Sequence, residues 1–268
     1  MIARSRAHGP QPVKAVIFDM DGLLIDSERL YTDIVNDVLR PYGKEQTWST
    51  KHKLMGRPER DAIEILLADL WPPRDSSERY NIQECPFDTE NFLKDRNHLL
   101  LKAFETVKPM PGAQKLVIHL AKHNIPICIA TGSKTPNYKI KSAANPDLFR
   151  PFAGRVICGD DPRLVRGKPH PDIFLLAARE GLGITDFQQN VRNQGFEHDG
   201  TFKGAEASIL VFEDATNGVE AAIKAGMQVV WVPDDNLRYV VGDDIGATQT
   251  LTGGLEEFNP ELFGLPPY

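Results

Sequence analysis

Apolar and polar positions follow two rhythms along this chain. Short apolar runs bounded by turn residues recur at Ala15 to Phe18, Ile125 to Ala130, Arg155 to Cys158, Ile209 to Phe212 and Val229 to Val232. Runs of that length read as buried strands, being too short for helices. Elsewhere the apolar positions recur every three or four residues, as in Leu116, Val117 and Leu120, which is the period of a helix with one face on a core. Helices are expected over Ala113 to His123, from the end of Thr131-Gly132-Ser133 to Ala144, and over Pro171 to Glu180 and Ala215 to Ala225. Strands alternating with helices imply an α/β fold with a Rossmann-like parallel sheet core, covered on both faces.

One long segment breaks the alternation. Leu30, Ile34, Val38 and Leu39 are helically spaced up to Pro41-Tyr42-Gly43, and a second helical pattern runs from Trp48 to Leu70, interrupted by Met55-Gly56-Arg57-Pro58. Trp71-Pro72-Pro73 stops it, Arg74 to Thr89 reads as a polar linker, and Asn91 to Val107 resumes a helix. Because no convincing strand falls in this stretch, residues 29–107 are expected to form an inserted α-helical cap domain. Residues 13–28 and 108–268 then make a discontinuous α/β catalytic core, with 1–12 a flexible N-terminal tail. The Gln-, Asn- and Gly-rich stretch from Ile184 to Ser208 has no periodicity and is expected to be a long surface loop.

Composition narrows the possibilities further. A chain of 268 residues with 41% hydrophobic residues and a net charge of −6 suits one good-sized domain carrying a smaller one. Mild acidity gives no basic footprint for a nucleic acid polymer or an anionic membrane. No apolar run approaches the ~20 residues that span a bilayer, and the first twelve residues lack the apolar region of a secretory signal. Cys85, Cys128 and Cys158 are an odd, widely spaced set without a Cys-x-x-Cys pattern, as expected of reduced thiols in a cytoplasmic protein. The expected state is a monomer or weak dimer.

Candidate chemistry falls where strands end. Asp19 and Asp21 follow the first strand, with Gly22 allowing a sharp turn. Carboxylates there lie at the carboxyl edge of an open sheet, where α/β proteins bind ligands. Such close acids need a positive partner, and Mg²⁺, held by few carboxylates and substrate phosphate, would serve. Thr131-Gly132-Ser133, Lys168 and Glu213-Asp214 follow, each beyond a later strand or beside Pro169. Taken singly, these are a turn, a surface lysine and an acidic first helical turn. Together they compose a phosphoryl-transfer site. Asp19 can attack phosphorus to give an aspartyl-phosphate, and Asp21 can protonate the leaving oxygen and then activate water. Thr131, Gly132 and Ser133 can donate to phosphate oxygens, Lys168 supplies a compact positive charge, and Asp214 supplies a metal carboxylate.

These motifs, DMDG (19–22), TGS (131–133), GKPHPDIF (167–174) and VFEDATNGVEAAIKAGM (211–227), resemble those of the haloacid dehalogenase-like hydrolases. The resemblance runs from about Val13 to the C-terminus, and the helical insert matches the cap of one subclass. It implies that Asp19 is the nucleophile, Asp21 the acid/base, and Asp214 a metal carboxylate, with Glu213 beside it as a direct or water-mediated partner. The candidate metal set is thus Asp19, Asp21, Glu213 and Asp214. Leu23 to Tyr31, Leu54 to Gly56, Met110 to Ala113, Leu120 to Pro126 and the tail Phe258 to Tyr268 are similar to pseudouridine-5'-phosphatases. Arg74–Thr89 departs from that pattern, and Asp186–Ser208 looks longer than it requires. The resemblance implies a Mg²⁺-dependent phosphomonoesterase of nucleotide metabolism acting on a small phosphorylated metabolite, pseudouridine 5'-phosphate foremost. A sugar- or polyol-phosphate phosphatase, or a phosphomutase using the same aspartates, is the alternative. Metal-free dehalogenation leaves Asp21 and the metal carboxylates without a task. In the cap, Arg57 and Arg60 flank a helix break and are candidate substrate contacts.

Overall fold

The computed structural model describes residues 12–54, 59–187 and 204–268. The expected tail up to residue 11, the helix interruption at 55–58 with Arg57, and loop residues 188–203 lie outside them. In chain order the elements are β1 (Ala15–Phe18), α1 (Ser27–Leu39), α2 (Trp48–Leu54), α3 (Glu59–Leu70), α4 (Thr89–Phe104) and α5 (Ala113–Lys122). They continue with β2 (Ile127–Ala130), α6 (Thr135–Ala143), α7 (Pro146–Phe149), β3 (Val156–Ile157) and α8 (Asp172–Leu176). The last are β4 (Ile209–Glu213), α9 (Thr216–Lys224), β5 (Gln228–Trp231), α10 (Asp235–Val241) and β6 (Gln249–Thr250). The chain divides into two compact units, one of Met1–Asp26 with Lys108–Tyr268, the other Ser27–Val107.

The first unit is built on a parallel sheet of order β3-β2-β1-β4-β5-β6. β1 is central: Phe18 lies beside Ile129 of β2 on one side and Phe212 of β4 on the other. The winding reverses between β1 and β4, so the carboxyl end of β1 sits at the topological switch point where such sheets bind ligands. Strands β1, β2, β4 and β5 are buried along their whole length, as their apolar runs require, with only Glu213 ending β4 and Gln228 opening β5 as polar members. Phe18 stacks on Phe212 at 5.1 Å and meets Phe152 edge-on at 5.9 Å, fixing the strand ends from which the acids emerge.

Some boundaries differ from the periodicity. The strand expected from Ile125 starts at Ile127, because Asn124 takes a left-handed φ of 56° and the Ile125 amide closes α5 by donating to Leu120 O. The helix expected over Pro171 to Glu180 is α-helical only to Leu176 and widens into a π turn over Ala177–Gly181. The C-terminal tail is structural: Val13 N donates to Phe263 O at 2.8 Å, and Phe258 packs edge-on against Phe212 at 4.8 Å. All three cysteines are buried free thiols. No helix among the described residues is long and apolar enough to cross a membrane.

The second unit is helical. Val35, Val38 and Leu39 of α1, Ile63, Leu66 and Leu67 of α3, and Phe92 of α4 share one core with Trp71, Tyr80 and Cys85. Residues 74–89 are therefore more than a polar linker. Tyr80 is buried and its hydroxyl accepts from Thr89 N at 3.1 Å, while Phe87 packs edge-on against Tyr42, Trp71 and Phe92. Asp88 caps α4 by accepting from Asn91 N at 2.7 Å.

Candidate active site

Local backbone geometry explains the Asp-x-Asp spacing. Asp19 N donates to Phe212 O at 3.0 Å, which carries the β1–β4 pairing one residue past the strand. In extended chain alternate side chains face opposite ways. Met20 is accordingly fully buried, while Asp19 and Asp21 on either side of it face the sheet edge. The chain then closes on itself: Leu24 N and Ile25 N both donate to Met20 O, at 3.0 and 3.1 Å, and Gly22 N donates to Ile25 O at 2.9 Å. Gly22 makes this possible with a φ of 83°.

Each acid has its own lysine. Lys168 Nζ donates to Asp19 Oδ1 at 2.5 Å, to Glu213, and to Ala130 O at 3.2 Å. Burial pushes the Asp19 carboxyl up to about 7; Lys168 opposes this, while Glu213 and Asp21 add to it. For Lys168, burial disfavours the charge, yet Asp19 and Glu213 outweigh it and hold the ammonium above its ordinary value. Both groups thus lean towards the protonated form, the signature of a buried site short of positive charge. On the other side, Lys141 Nζ donates to Asp21 Oδ1 at 2.6 Å and to Ser133 Oγ at 3.0 Å.

The loop after β2 surrounds Asp21. Ser133 Oγ donates to Asp21 Oδ2 at 2.6 Å, and Thr131 Oγ1 approaches the same oxygen at 3.4 Å while accepting from Ser133 N at 3.0 Å. Gly132 lies exposed between them, with nothing within 4 Å of where a Cβ would stand. Gly159 presses on this loop from behind: a Cβ there would come within 2.4 Å of Gly132 O, and its amide donates to Ser133 O at 2.9 Å.

Asp19, Glu213 and Asp214 each offer a carboxylate oxygen within 4.8 Å of the others. Three acids against the single Lys168 ammonium, with hard oxygen donors throughout, suit a divalent cation such as Mg²⁺. Asp21 stands outside this group and is engaged by Lys141 and the Thr131–Ser133 loop instead. The backbone carbonyl of Asp214 accepts from Trp231 Nε1 at 2.8 Å, tying the acidic turn to the buried β5.

The fold therefore gathers Asp19, Asp21, Thr131, Ser133, Lys168, Glu213 and Asp214 from separate strand ends into one edge. Arg60 belongs to α3 of the helical unit, is exposed, and is engaged by Glu90 and by Glu64 at 3.3 Å. Lys141 is the functional-site residue that sequence reasoning missed. A lysine in the last turn of a helix is ordinarily a solvated charge favoured by the dipole, so nothing in α6 marked it out.

A buried carboxylate at the switch point, an ammonium beside it and a cation-sized acidic cluster are an arrangement suited to phosphoryl transfer. Residues 13–226 match the family model for haloacid dehalogenase-like hydrolases, and the chain belongs to that family. It is 40% identical over 261 residues to "(DL)-glycerol-3-phosphatase 2" of Arabidopsis thaliana, covering 97% of this chain and 95% of the relative. It is 35% identical over 252 residues to a Drosophila melanogaster protein named "Probable pseudouridine-5'-phosphatase", covering 94% of each. A crystal structure of a family hydrolase from Deinococcus radiodurans, with bound phosphate and sodium, shares the fold. That match has a TM-score of 0.67 at 22% identity over 96% of this chain and 99% of the other. With such relatives over nearly its whole length, the chain is a phosphoric monoester hydrolase.

Proposed function

We propose that the chain hydrolyses the phosphate monoester of a small primary alcohol in two steps on Asp19. An Asp19 oxygen attacks phosphorus, the ester P–O bond breaks with its electron pair on the leaving oxygen, and Asp21 delivers the proton that makes it an alcohol. Water then attacks the phosphorus of the aspartyl-phosphate, giving a proton to Asp21, and inorganic phosphate departs with Asp19 restored. Lys168 neutralises charge shared between Asp19 and the transferring phosphoryl group, and the Thr131–Ser133 loop donates to its oxygens. Mg²⁺ held by Asp19 and Asp214, with Glu213 adjacent, would supply Lewis-acid stabilisation of that group. The observation that carries this reading is Lys168 bridging Asp19 and Glu213 at the switch point, with Asp21 on separate donors.

The first substrate reading is pseudouridine 5'-phosphate, supported by the tail Phe258 to Tyr268 and the 35% identical relative. Glycerol 3-phosphate is the second, favoured by the higher identity of 40% to the Arabidopsis glycerol phosphatase. Both are phosphate esters of primary alcohols, so one catalytic edge serves either. Pseudouridine carries a ring N–H where uridine has its glycosidic bond, and an acceptor built for it rejects uridine 5'-phosphate by well over a hundredfold. The experiment is kcat/KM for pseudouridine 5'-phosphate, uridine 5'-phosphate and glycerol 3-phosphate, with Mg²⁺ and with chelator. Preference for the first by more than about a hundredfold over the second fits the first reading. Equal use of the two nucleotides, or better use of glycerol 3-phosphate, removes it and leaves the second. Full release of phosphate in excess chelator would remove the metal. Phosphate moved to a second hydroxyl of the substrate, rather than to water, would make the enzyme a mutase.

A further inference from the structure

Lys141 is a buried cation that the two-step chemistry does not use. Its side chain has 0% exposure, so it cannot meet a phosphate arriving from solvent, and whatever it does it does through its partners. Burying an ammonium costs several kcal/mol unless its hydrogen bonds are met. They are met by Asp21 Oδ1 at 2.6 Å and Ser133 Oγ at 3.0 Å, while Ser133 Oγ in turn reaches Asp21 Oδ2 at 2.6 Å. Lysine, serine and carboxylate thus close a triangle in which each oxygen of Asp21 has a fixed donor. Thr131 Oγ1 adds a longer contact to Oδ2 at 3.4 Å. Asp21 keeps 19% side-chain exposure, so its carboxylate stays within reach of a leaving group.

The arrangement answers a difficulty built into the sequence. Asp19 and Asp21 are only two residues apart, and beside Glu213 and Asp214 a freely rotating Asp21 would become one more cation ligand. A carboxylate committed to a cation is a poor acid. We propose that Lys141 is a positioning residue which, with Ser133, holds Asp21 on the leaving-group side of the site and away from the acidic cluster. This rests on Asp21 being the acid and base of the phosphatase reading. It predicts a defect that depends on how much the leaving group needs a proton.

The test compares the first turnover of an alkyl phosphate, glycerol 3-phosphate, with that of p-nitrophenyl phosphate, whose nitrophenolate leaves without a proton. In Lys141→Met, the first turnover of the alkyl ester is expected to slow by about a hundredfold, the scale of general acid catalysis. The burst of nitrophenolate from the aryl ester should stay within about tenfold of wild type. The burst amplitude counts active sites, so partial misfolding does not distort the comparison. Ser133→Ala, a smaller change at a half-buried position, is the second variant and should show the same bias in smaller measure. Equal slowing of both esters, in either variant, would make Lys141 a structural or phosphate-directed group and overturn the proposal; so would no slowing of either. Failure of the underlying reading looks different, since wild type would then release phosphate from neither ester.

Discussion

In the proposed mechanism Asp19 is the group on which the chemistry depends, and its burial is a cost to the fold. Asp19→Asn keeps the shape but removes the nucleophile, so phosphate release should fall by several orders of magnitude. Turnover above about one per cent of wild type, under ~3 kcal/mol of barrier, would sink the assignment. Stability should move the other way. Burial raises this carboxyl from 3.8 to about 7 in the folded protein, so proton uptake favours the folded state. That contribution is complete below the unfolded value of 3.8 and is lost as pH rises through about 7. Above it, metal-free wild type carries a buried charge that Lys168, shared with Glu213, only partly offsets, and the asparagine variant does not. In chelator at pH 8, Asp19→Asn is therefore expected to melt a few degrees higher than wild type, with the gap narrowing at pH 5. Saturating Mg²⁺ should shrink or reverse the gap, because a ligand bound only by the folded state stabilises the better binder. A wild type that melts higher than the variant in chelator at pH 8 would contradict the charge balance described for the site.

Elements matter here chiefly for how they present one atom. α9 begins just after the acids, and Gly218 sits in its first turn, where exchanging glycine for alanine normally gains about 1 kcal/mol. In this helix a Cβ at Gly218 would stand 1.9 Å from Glu213 Oε1 and 2.0 Å from Cδ. Glu213 is 1% exposed and pinned by Lys168, so it has nowhere to retreat without leaving the acidic cluster. Gly218→Ala is expected to lose the helix gain and to weaken Mg²⁺ activation by at least about tenfold, read from the Mg²⁺ dependence of rate. A variant with wild-type Mg²⁺ dependence and higher Tm would show that Glu213 position is irrelevant to the cation. The same elements show what a sequence can and cannot reveal. β1, β2, β4 and β5 were legible because burial on both faces leaves unbroken apolar runs. β6 was not, because Gln249 and Thr250 form a half-buried pair of residues with no apolar signal. α10 was not, because Tyr239, Val240 and Val241 are exposed and give no amphipathic period. Lys141 escaped because its burial follows from tertiary packing of α6 and not from its neighbours in sequence.

At the scale of the molecule, the acids of the site, its two lysines and its loop hydroxyls all fall in one unit, Met1–Asp26 with Lys108–Tyr268. That unit contains its own sheet and core, and its chain is interrupted at one place. There Asp26 N donates to Lys108 O at 2.8 Å and Met110 N to Leu24 O at 2.9 Å, so the chain that leaves and the chain that returns run side by side across a single antiparallel bridge. A few glycines replacing Ser27–Val107 would join them without strain, since short flexible linkers easily close so small a gap. The expectation follows from the placement of the chemistry. The shortened protein should fold with a cooperative thermal transition, bind Mg²⁺, and release nitrophenolate from p-nitrophenyl phosphate. Discrimination between pseudouridine 5'-phosphate, uridine 5'-phosphate and glycerol 3-phosphate should collapse to less than about tenfold, the scale that contacts to the phosphate alone leave behind. An undiminished preference among those esters in the shortened protein would place selectivity in the sheet unit and leave the helical one without that role. A folded, Mg²⁺-binding protein unable to cleave even the activated aryl ester would mean that the helical unit contributes to the chemistry itself.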